Sequence, residues 1–469
     1  MALWGFDFWQ WLALLQHELL LFAGVFFLVG AIDDIAVDLS WLWLKLTGRA
    51  KTPQFRRFEL QGRALHAPVA IFIPAWQEAE VIGDTIGHTL SSWPQRQLRL
   101  YIGCYRNDPA TIAAAMSAAD GDPRLRIVIH DRTGPTTKAD CLNRLYEAMC
   151  DDERRSGRSY GMAVFHDAED LVDPAALGLL DRAVGEGTDF AQIPVEPLPQ
   201  AKSRWLGSHY CEEFAEAHGK AMVVRDALGA ALPAAGVGCA VSRKALHRLC
   251  ERHTDQRPFS SESLTEDYEL GLSVAETGGT CRFIRARGDD GLLIATRAFF
   301  PARLDHVVRQ KTRWVHGIAL QGWDRTGWGA GLVEIWMRAR DRRGPMTALV
   351  LLFGYTLLAL TALSWAAIGL GYGEPVELSP FLKWLLVANL VFFVWRALFR
   401  FAFTAREYGV GEGFMAVLRI PVTNIIAIMA GRRAIFAYAK TLTGSAVVWD
   451  KTPHTTHPAR IAPASAGAA

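Results

Sequence analysis

Apolar residues crowd the two ends of this chain, and in the middle they break into short regular runs. The first crowded stretch extends from Trp11 to Ile32. Its uninterrupted part, Leu19 to Ile32, is short for a membrane crossing, and extension back through Gln16, His17 and Glu18 makes it long enough. An amphipathic anchor lying on the surface is the competing reading. No Lys or Arg precedes the stretch, which is unlike a secretory signal. From Gly344 to Gly373 there is no charged residue, ample for a tilted span. A third stretch, Leu378 to Phe399, has Lys383, Arg396 and Arg400 near its ends, where long side chains reach the headgroups. Gly413 to Gly431 is apolar but is interrupted by Arg419, Pro421 and Asn424, so an interfacial or re-entrant helix over 413–436 is expected there. Pro458 to Ala469 is rich in Pro, Ala and Ser and is expected to be disordered.

Between these ends the period changes. Val69 to Ile73 is a continuous apolar run, as a strand buried on both faces requires. Arg99 to Cys104, Leu125 to Ile129 and Met162 to Phe165 repeat it at intervals of roughly 30 residues, with helical periodicity between them. The pattern predicts an α/β domain with a mostly parallel sheet. The chain then divides into a membrane helix with its flank (1–45), the α/β domain (46–335), a C-terminal membrane region (336–457) and a tail (458–469). That membrane region holds two spans (345–370 and 378–400), the interfacial helix and a cytosolic loop. Ligands of such sheets sit at the carboxyl ends of the strands. The polar clusters Gln77-Glu78, Asn107-Asp108 and Asp167 to Asp170 fall there. No GxGxxG follows the first strand and no GxxxxGK[ST] occurs, which removes support for dinucleotide and P-loop sites.

Composition adds three points. Hydrophobic residues reach 51% and there are 16 Trp, an excess gathered at the ends as in a membrane protein. A net charge of +2 leaves no nucleic-acid footprint. The seven Cys are scattered without a CxxC pair and read as reduced cytosolic thiols. Positive charge then orients the chain. Lys45, Arg49 and Lys51 follow the first span, Arg338, Arg340, Arg342 and Arg343 precede the second, and Arg396, Arg400 and Arg406 close the third. The intervening loop has Glu374 and Glu377 instead, so the central domain is expected to face the cytosol.

Four short motifs stand in order: Asp167-Ala168-Glu169, Gly236-Val237-Gly238-Cys239, Thr265-Glu266-Asp267 and Gln310-Lys311-Thr312-Arg313-Trp314. Asp167 and Glu169 bracket one small residue at a strand end, a pair suited to Mg²⁺ or Mn²⁺ on a diphosphate. The plainer reading is an acidic loop capping the next helix. Lys138 is a point charge for a diphosphate or a solvated lysine at a helix start. Asp267 suits a general base, although Ser263 to Glu266 also reads as a capping box opening a helix that ends near Gly278-Gly279. Gln310 and Arg313 offer donors to phosphate and Trp314 an indole face to a sugar. Taken alone, Arg313-Trp314 fits an amphipathic interfacial helix, and a turn explains Gly236 to Gly238.

Together these motifs resemble family 2 glycosyltransferases, the inverting enzymes that include cellulose, chitin and hyaluronan synthases. Pro74-Ala-Trp-Gln-Glu78 looks like the first nucleotide-binding motif, Asp167-Ala-Glu169 the metal-binding DxD, Thr265-Glu-Asp267 the TED motif and Gln310 to Trp314 the QxxRW signature. Asn107 to Thr111, His166 to Asp170 and Arg309 to Trp314 are similar to the phage adsorption protein B subgroup. The second strand ends Cys104-Tyr105-Arg106, where many relatives have an Asp that reads uracil. The resemblance implies a GT-A fold, a UDP-sugar donor, a glycan or glycolipid acceptor, Mg²⁺ or Mn²⁺, and the bacterial inner membrane with its lipids and export partners. It implies catalysis by Asp267 with Glu266, and metal binding by Asp167 and Glu169. Pro74, Glu78, Asp108, Lys138, Asp167, Gln310, Arg313, Lys451 and His454 fall on the donor side, and Trp314, Gly236, Gly238 and Cys239 on the acceptor side. The C-terminal loop around Trp449 is implied to cover the nucleotide. The alternatives are single-sugar transfer to a lipid carrier and a non-catalytic scaffold of a polysaccharide-assembly complex. A glycoside hydrolase, which also uses two carboxylates, ranks last because it needs no nucleotide pocket.

Overall fold

The computed structural model describes residues 7–372, 377–444, 451 and 454–461. The apolar run at Val69 forms β1 (Val69–Pro74), followed by β2 (Leu98–Tyr105), β3 (Leu125–His130), β4 (Met162–Phe165), β5 (Phe190–Gln192), β6 (Cys239–Ser242) and β7 (Cys281–Phe283). They join in one sheet in the order β3-β2-β1-β4-β6-β5-β7. Only β6 runs antiparallel to its neighbours; the other pairings are parallel. The central strand explains why the run has no polar residue. Ile71 and Ile73 belong to the core on one face of the sheet, and Ala70 and Phe72 to the core on the other. Each such large side chain contributes about 1.5–3 kcal/mol on burial.

The chain enters through one long helix, α1 (Phe8–Leu46). Within the domain follow α2 (Ile82–Ser92), α3 (Pro109–Ala119), α4 (Lys138–Ser156), α5 (Ala176–Gly185), α6 (His209–Glu216), α7 (Arg243–Arg252) and α8 (Glu266–Glu276). Helices α2, α3 and α5 cover the Ile71 face, and α4, α7 and α8 the Phe72 face. Local chemistry sets where the helices start. Asp108 caps α3, with Pro109 in the first turn, and Thr137 caps α4, so Lys138 stands at the carboxyl edge of the sheet. The expected capping box at Ser263 does not form. The Ser263 hydroxyl donates to Glu269 Oε1 (2.7 Å), and Asp267 Oδ1 accepts the Tyr268 N–H (2.7 Å) at the start of α8.

After the domain come α9 (Leu304–Trp314), α10 (Leu332–Arg342), α11 (Gly344–Gly369), α12 (Pro380–Tyr408), α13 (Val410–Leu418) and α14 (Ile420–Leu442). Among the described residues four helices, α1, α11, α12 and α14, are long and apolar enough to cross a membrane, with mean hydropathies of 2.2, 2.1, 1.7 and 1.3. At most 22% of any of these apolar windows is buried, so their surfaces face outward. Helix α1 continues well past the expected end at Ile32, because its acidic residues are neutralised. Asp33 and Asp34 pair with Arg340 and Arg343, and Asp38 pairs with Lys220.

The expected interfacial helix over 413–436 is two helices, α13 and α14, meeting at Arg419. Both ends of α14 touch the α/β domain. Arg419, at its start, lies 3.2 Å from Glu212 on α6. The Tyr438 hydroxyl near its end donates to Asp324 (2.9 Å). The start of the tail departs from expectation, while 462–469 lie outside the described residues. Pro458–Arg460 is a short 3₁₀ turn rather than disordered chain. His457 beside it is buried and Arg460 pairs with Asp84 on α2 (2.6 Å). Trp449 and Glu374 lie outside the described residues.

Helix α8 approaches the loop after Gly229 closely: a Cβ on Gly271 would sit 1.9 Å from the Leu232 carbonyl oxygen. Gly271→Ala is therefore expected to destabilise the domain by about 1–3 kcal/mol, the usual range for overpacking. Thermal unfolding in detergent measures it, and an unchanged midpoint would contradict so close an approach.

Candidate active site

The carboxyl ends of β1 and β4, the starts of α4 and α8, and the last turn of α9 open onto one cleft with a cavity volume of about 150 Å³. Pro74, Trp76 and Glu78 come from β1 and the turn after it, and Thr137 and Lys138 from the start of α4. Asp167, Glu169 and Asp170 follow β4, and Thr265, Glu266 and Asp267 open α8. Gln310, Arg313 and Trp314 share one face of α9, as spacings of three and four residues dictate. Lys451 and His454, from the C-terminal segment, complete the lining.

The parts are braced against one another. Asp170 Oδ2 accepts the Asp167 N–H (3.0 Å) and lies 2.9 Å from His166 Nδ1. His457 reaches the Asp170 carbonyl at 3.1 Å. The Tyr210 hydroxyl on α6 donates to Gln310 Oε1 (2.6 Å), and Trp314 packs edge-on against Tyr210 and Phe214. Helix α9 runs directly into a π-helical turn, Val315–Gln321. A Cβ on Gly317 in that turn would lie 2.5 Å from the Thr265 side chain, so only glycine lets α9 lie this close to α8. Wide turns of this kind are frequent at functional sites.

Charge in the cleft is closely balanced. Lys138 Nζ lies 2.6 Å from Asp167 Oδ1. Burial disfavours its charge, yet Asp167, Glu266 and Asp267 hold it well above the usual lysine range. Burial also raises Asp267 above the ordinary carboxylate range, against the opposing pull of Lys138. Glu266 is pushed up to about 7, by burial first and then by Asp267. On the other side, Glu78 takes Lys451 at 2.7 Å and His454 at 3.1 Å, while the second nitrogen of His454 meets Glu169 at 3.1 Å. Burial works against a charge on His454, but Glu169 and Glu78 outweigh it and push its pKa up to about 9. Arg313 makes no hydrogen bond or ion pair among the described residues, so its guanidinium stands free at the cleft wall.

A family model described as "Glycosyltransferase like family 2" matches residues 66–317. The chain belongs to glycosyltransferase family 2. Its sheet and helix layers are those of the GT-A fold, and it is a glycosyltransferase. It is 32% identical over 480 aligned positions to bacteriophage adsorption protein B of Escherichia coli K12, covering 95% of this chain and 63% of that protein. It therefore spans less than two thirds of that relative's length. A mannosyltransferase from Pyrobaculum calidifontis, solved with GDP-Man and Mn²⁺, aligns at a TM-score of 0.47 and 14% identity, covering 88% of this chain and 99% of its own. Glucosyl-3-phosphoglycerate synthase from Mycobacterium tuberculosis, solved with Mg²⁺ and UDP, aligns at 0.36 and 17% identity over 60% of this chain and 86% of its own.

Most residues singled out in the transferase's sequence line the cleft, but Asp108, Cys239, Gly236 and Gly238 do not. Asp108 is a structural cap: its Oδ2 accepts the Gln77 N–H (2.6 Å) and its Oδ1 the Thr111 N–H (3.3 Å), so it is occupied by backbone. Cys239 is fully buried in β6 and cannot touch an acceptor. Gly236 and Gly238 have φ of 81° and 60°, bending the chain so that Ala235 and Val237 line the cleft instead. Gly236 backs onto Asp267, whose Oδ2 would be 2.6 Å from a Cβ there. Sequence reasoning passed over Thr137, Phe214, Phe299, Phe300 and Pro301, which also line the cleft. The aromatic pair just ahead of α9 was the available signal.

The residues present fit a divalent ion. The ligand atoms of Glu78, Glu169 and His454 all lie within 4.8 Å of one another, and Glu78 Oε2 is buried without a hydrogen-bond partner. Three donors leave coordination positions for phosphate oxygens. Asp167 is not in this group, because its carboxylate faces Lys138.

Removing the cation at the centre of the cleft isolates the others. Lys138→Met is expected to cost about 2 kcal/mol, between the value of an exposed pair and that of a fully buried one. Denaturant unfolding at neutral pH measures the loss, which shrinks as acid protonates Glu266 and Asp267. A pH-independent effect would mean that Lys138 contributes by packing alone.

Proposed function

We propose that this transferase moves a sugar, with inversion, from a UDP-sugar donor onto a surface glycan or exopolysaccharide growing at the bacterial inner membrane. Its α/β domain faces the cytosol. The observation that carries the reading is the pairing, in one cleft, of a carboxylate with raised pKa, Asp267, with a bank of cations on the donor side. Asp267 takes the proton of the acceptor hydroxyl as its oxygen bonds the anomeric carbon. The bond from that carbon to the diphosphate breaks in the same displacement. Arg313, Lys138 and Lys451 neutralise the diphosphate that departs, and Glu78 holds Lys451 in position. Trp314 and Phe300 offer flat apolar faces to the acceptor sugar, aligned by Tyr210 and Phe214 behind them. A divalent ion held through Glu169 would supply Lewis-acid stabilisation to the leaving diphosphate.

The charge distribution supports the orientation. Lys45, Arg49 and Lys51 lie at the domain end of α1, and Arg338 to Arg343 at the domain end of α11. Helix α14 is read as lying along the membrane surface, since both its ends engage the domain and a crossing would carry one end away.

Incubating membranes that contain the transferase with a panel of nucleotide sugars is expected to yield a sized product from one donor. EDTA should stop the reaction, and Mg²⁺ or Mn²⁺ restore it. In the same assay Asp267→Asn should lose at least roughly 10²-fold in rate with donor affinity retained, the usual size of a general-base effect. Because a base works deprotonated, wild-type kcat should rise with pH through the titration of the Glu266–Asp267 pair and fall away in acid. Near-normal turnover in Asp267→Asn, or no donor consumed at all, would overturn the reading. A reporter fused after Ala469 is expected to be active only in a form that works in the cytosol. Activity of a periplasm-specific reporter would reverse the topology.

A further inference from the structure

Arg342 ends α10, two residues before α11 begins at Gly344, and only 7% of its surface is exposed. One of its donors reaches the Thr326 hydroxyl (2.9 Å), while Nε and Nη1 are buried without a hydrogen-bond partner. The acids around it are engaged elsewhere. Asp341 pairs with Arg225 (2.8 Å) and accepts the Tyr268 hydroxyl (2.9 Å). Glu334 and Glu276 are held by Arg338 at 2.6 and 2.9 Å, and Asp324 accepts the Tyr438 hydroxyl. Burial holds Arg342 below the usual arginine range. A guanidinium taken this far out of water normally meets an anion.

Its cover is aromatic. The guanidinium carbon lies 4.8 Å from the Trp328 ring centre and 6.0 Å from that of Trp323, and the two indoles meet edge to face at 4.9 Å. Both rings are partly exposed, at 37% and 49%. Trp328 is carried between Gly327 and Gly329, whose φ angles of 54° and 71° turn the chain sharply on either side of it. Three of the four helices able to cross a membrane converge on this patch. Arg342 leads into α11, its neighbours Arg340 and Arg343 pair with Asp33 and Asp34 of α1, and Tyr438 ties Asp324 to α14. Indoles concentrate at the headgroup level of a bilayer.

We propose that Arg342 and the Trp323–Trp328 pair form a binding site for the phosphate of an anionic membrane lipid, its headgroup entering between the two indoles. The planar fork of a guanidinium suits two phosphate oxygens at once. A lipid is favoured over a dissolved phosphate because the site adjoins α11, whose apolar surface faces outward and offers the acyl chains a place to lie. The inference is independent of the sugar chemistry in the cleft.

The test is lipid retention by the purified full-length chain in neutral detergent, read by native mass spectrometry against equal phosphatidylglycerol and phosphatidylcholine. Wild type should keep phosphatidylglycerol in preference. Arg342→Gln should weaken that binding by about tenfold or more, the usual worth of hydrogen bonds to a charged group. Arg342→Lys should weaken it less, because it keeps the charge and loses only the fork. Thermal unfolding confirms that each variant is folded. A second measurement leaves Arg342 untouched. In vesicles of phosphatidylglycerol brominated along its chains, quenching of Trp fluorescence should fall when Trp323→Phe and Trp328→Phe are combined. Equal phosphatidylglycerol binding by wild type and folded Arg342→Gln overturns the site, and so does quenching unchanged by loss of the pair. No preference between the two lipids in wild type overturns the anionic headgroup. Displacement of phosphatidylglycerol by an equal concentration of inorganic phosphate overturns the assignment to a lipid.

Discussion

Six carboxylates share one cleft, and their mutual repulsion is the constraint around which the site is organised. Glu78, Asp167, Glu169, Glu266 and Asp267 line it together with Asp170, which is turned to His166. Two like charges about 4 Å apart repel by on the order of 4 kcal/mol at the effective dielectric of a protein surface. The cleft holds together because cations stand between them. Lys138 serves Asp167 and the two acids at the start of α8, while Lys451 and His454 serve Glu78 and Glu169. These cations come from the start of α4 and from the far end of the chain. The balanced site therefore exists only when the α/β domain and the C-terminal segment are both in place. Arg313, which makes no ion pair among the described residues, faces the same opening.

A second set of buried charges connects this site to the apolar helices. On α6, Glu212 lies 3.1 Å from Arg400 on α12 and 3.2 Å from Arg419, and Glu216 meets Arg396 at 2.6 Å and Lys220 at 2.6 Å. The same helix sends Tyr210 to Gln310 and Glu213 to Lys311 on α9. One side of α6 thus grips the helices that carry the apolar surface, and the other aligns the wall of the cleft. Buried ion pairs add little net stability over apolar packing, but removing one partner is expensive. Such a network specifies how the domain is seated, and a mutation at Glu212 or Arg419 would be felt at Gln310 without touching it.

Much of the architecture was legible because its cause is local. A strand buried on both faces must be apolar throughout, so β1 and β4 announced themselves, and β2 and the edge strand β3 followed from the repeat of mostly apolar runs. The motifs Asp167-Ala-Glu169, Thr265-Glu-Asp267 and Gln310 to Trp314 followed in the order in which the fold brings them together. The short strands β5 to β7 were missed, being three or four residues long and stabilised by their neighbours more than by their own pattern. The end of α1 was placed too early for a related reason. Asp33 and Asp34 look like a helix boundary until Arg340 and Arg343, some 300 residues away, neutralise them.

The amino-acid sequence by itself determined strands β1 to β4, the apolar stretches, the family and the residue types of the chemistry, because periodicity and motif order need no knowledge of distant contacts. Tertiary structure alone decided which of those residues meet. It turned Asp108 into a helix cap and drew Cys239 into the sheet. It gave Asp167 to Lys138, and it set His454 facing Glu78 and Glu169. The reason is electrostatic and steric together. A carboxylate's role depends on which cation reaches it and how much water is excluded, and both are set by segments far apart in the chain.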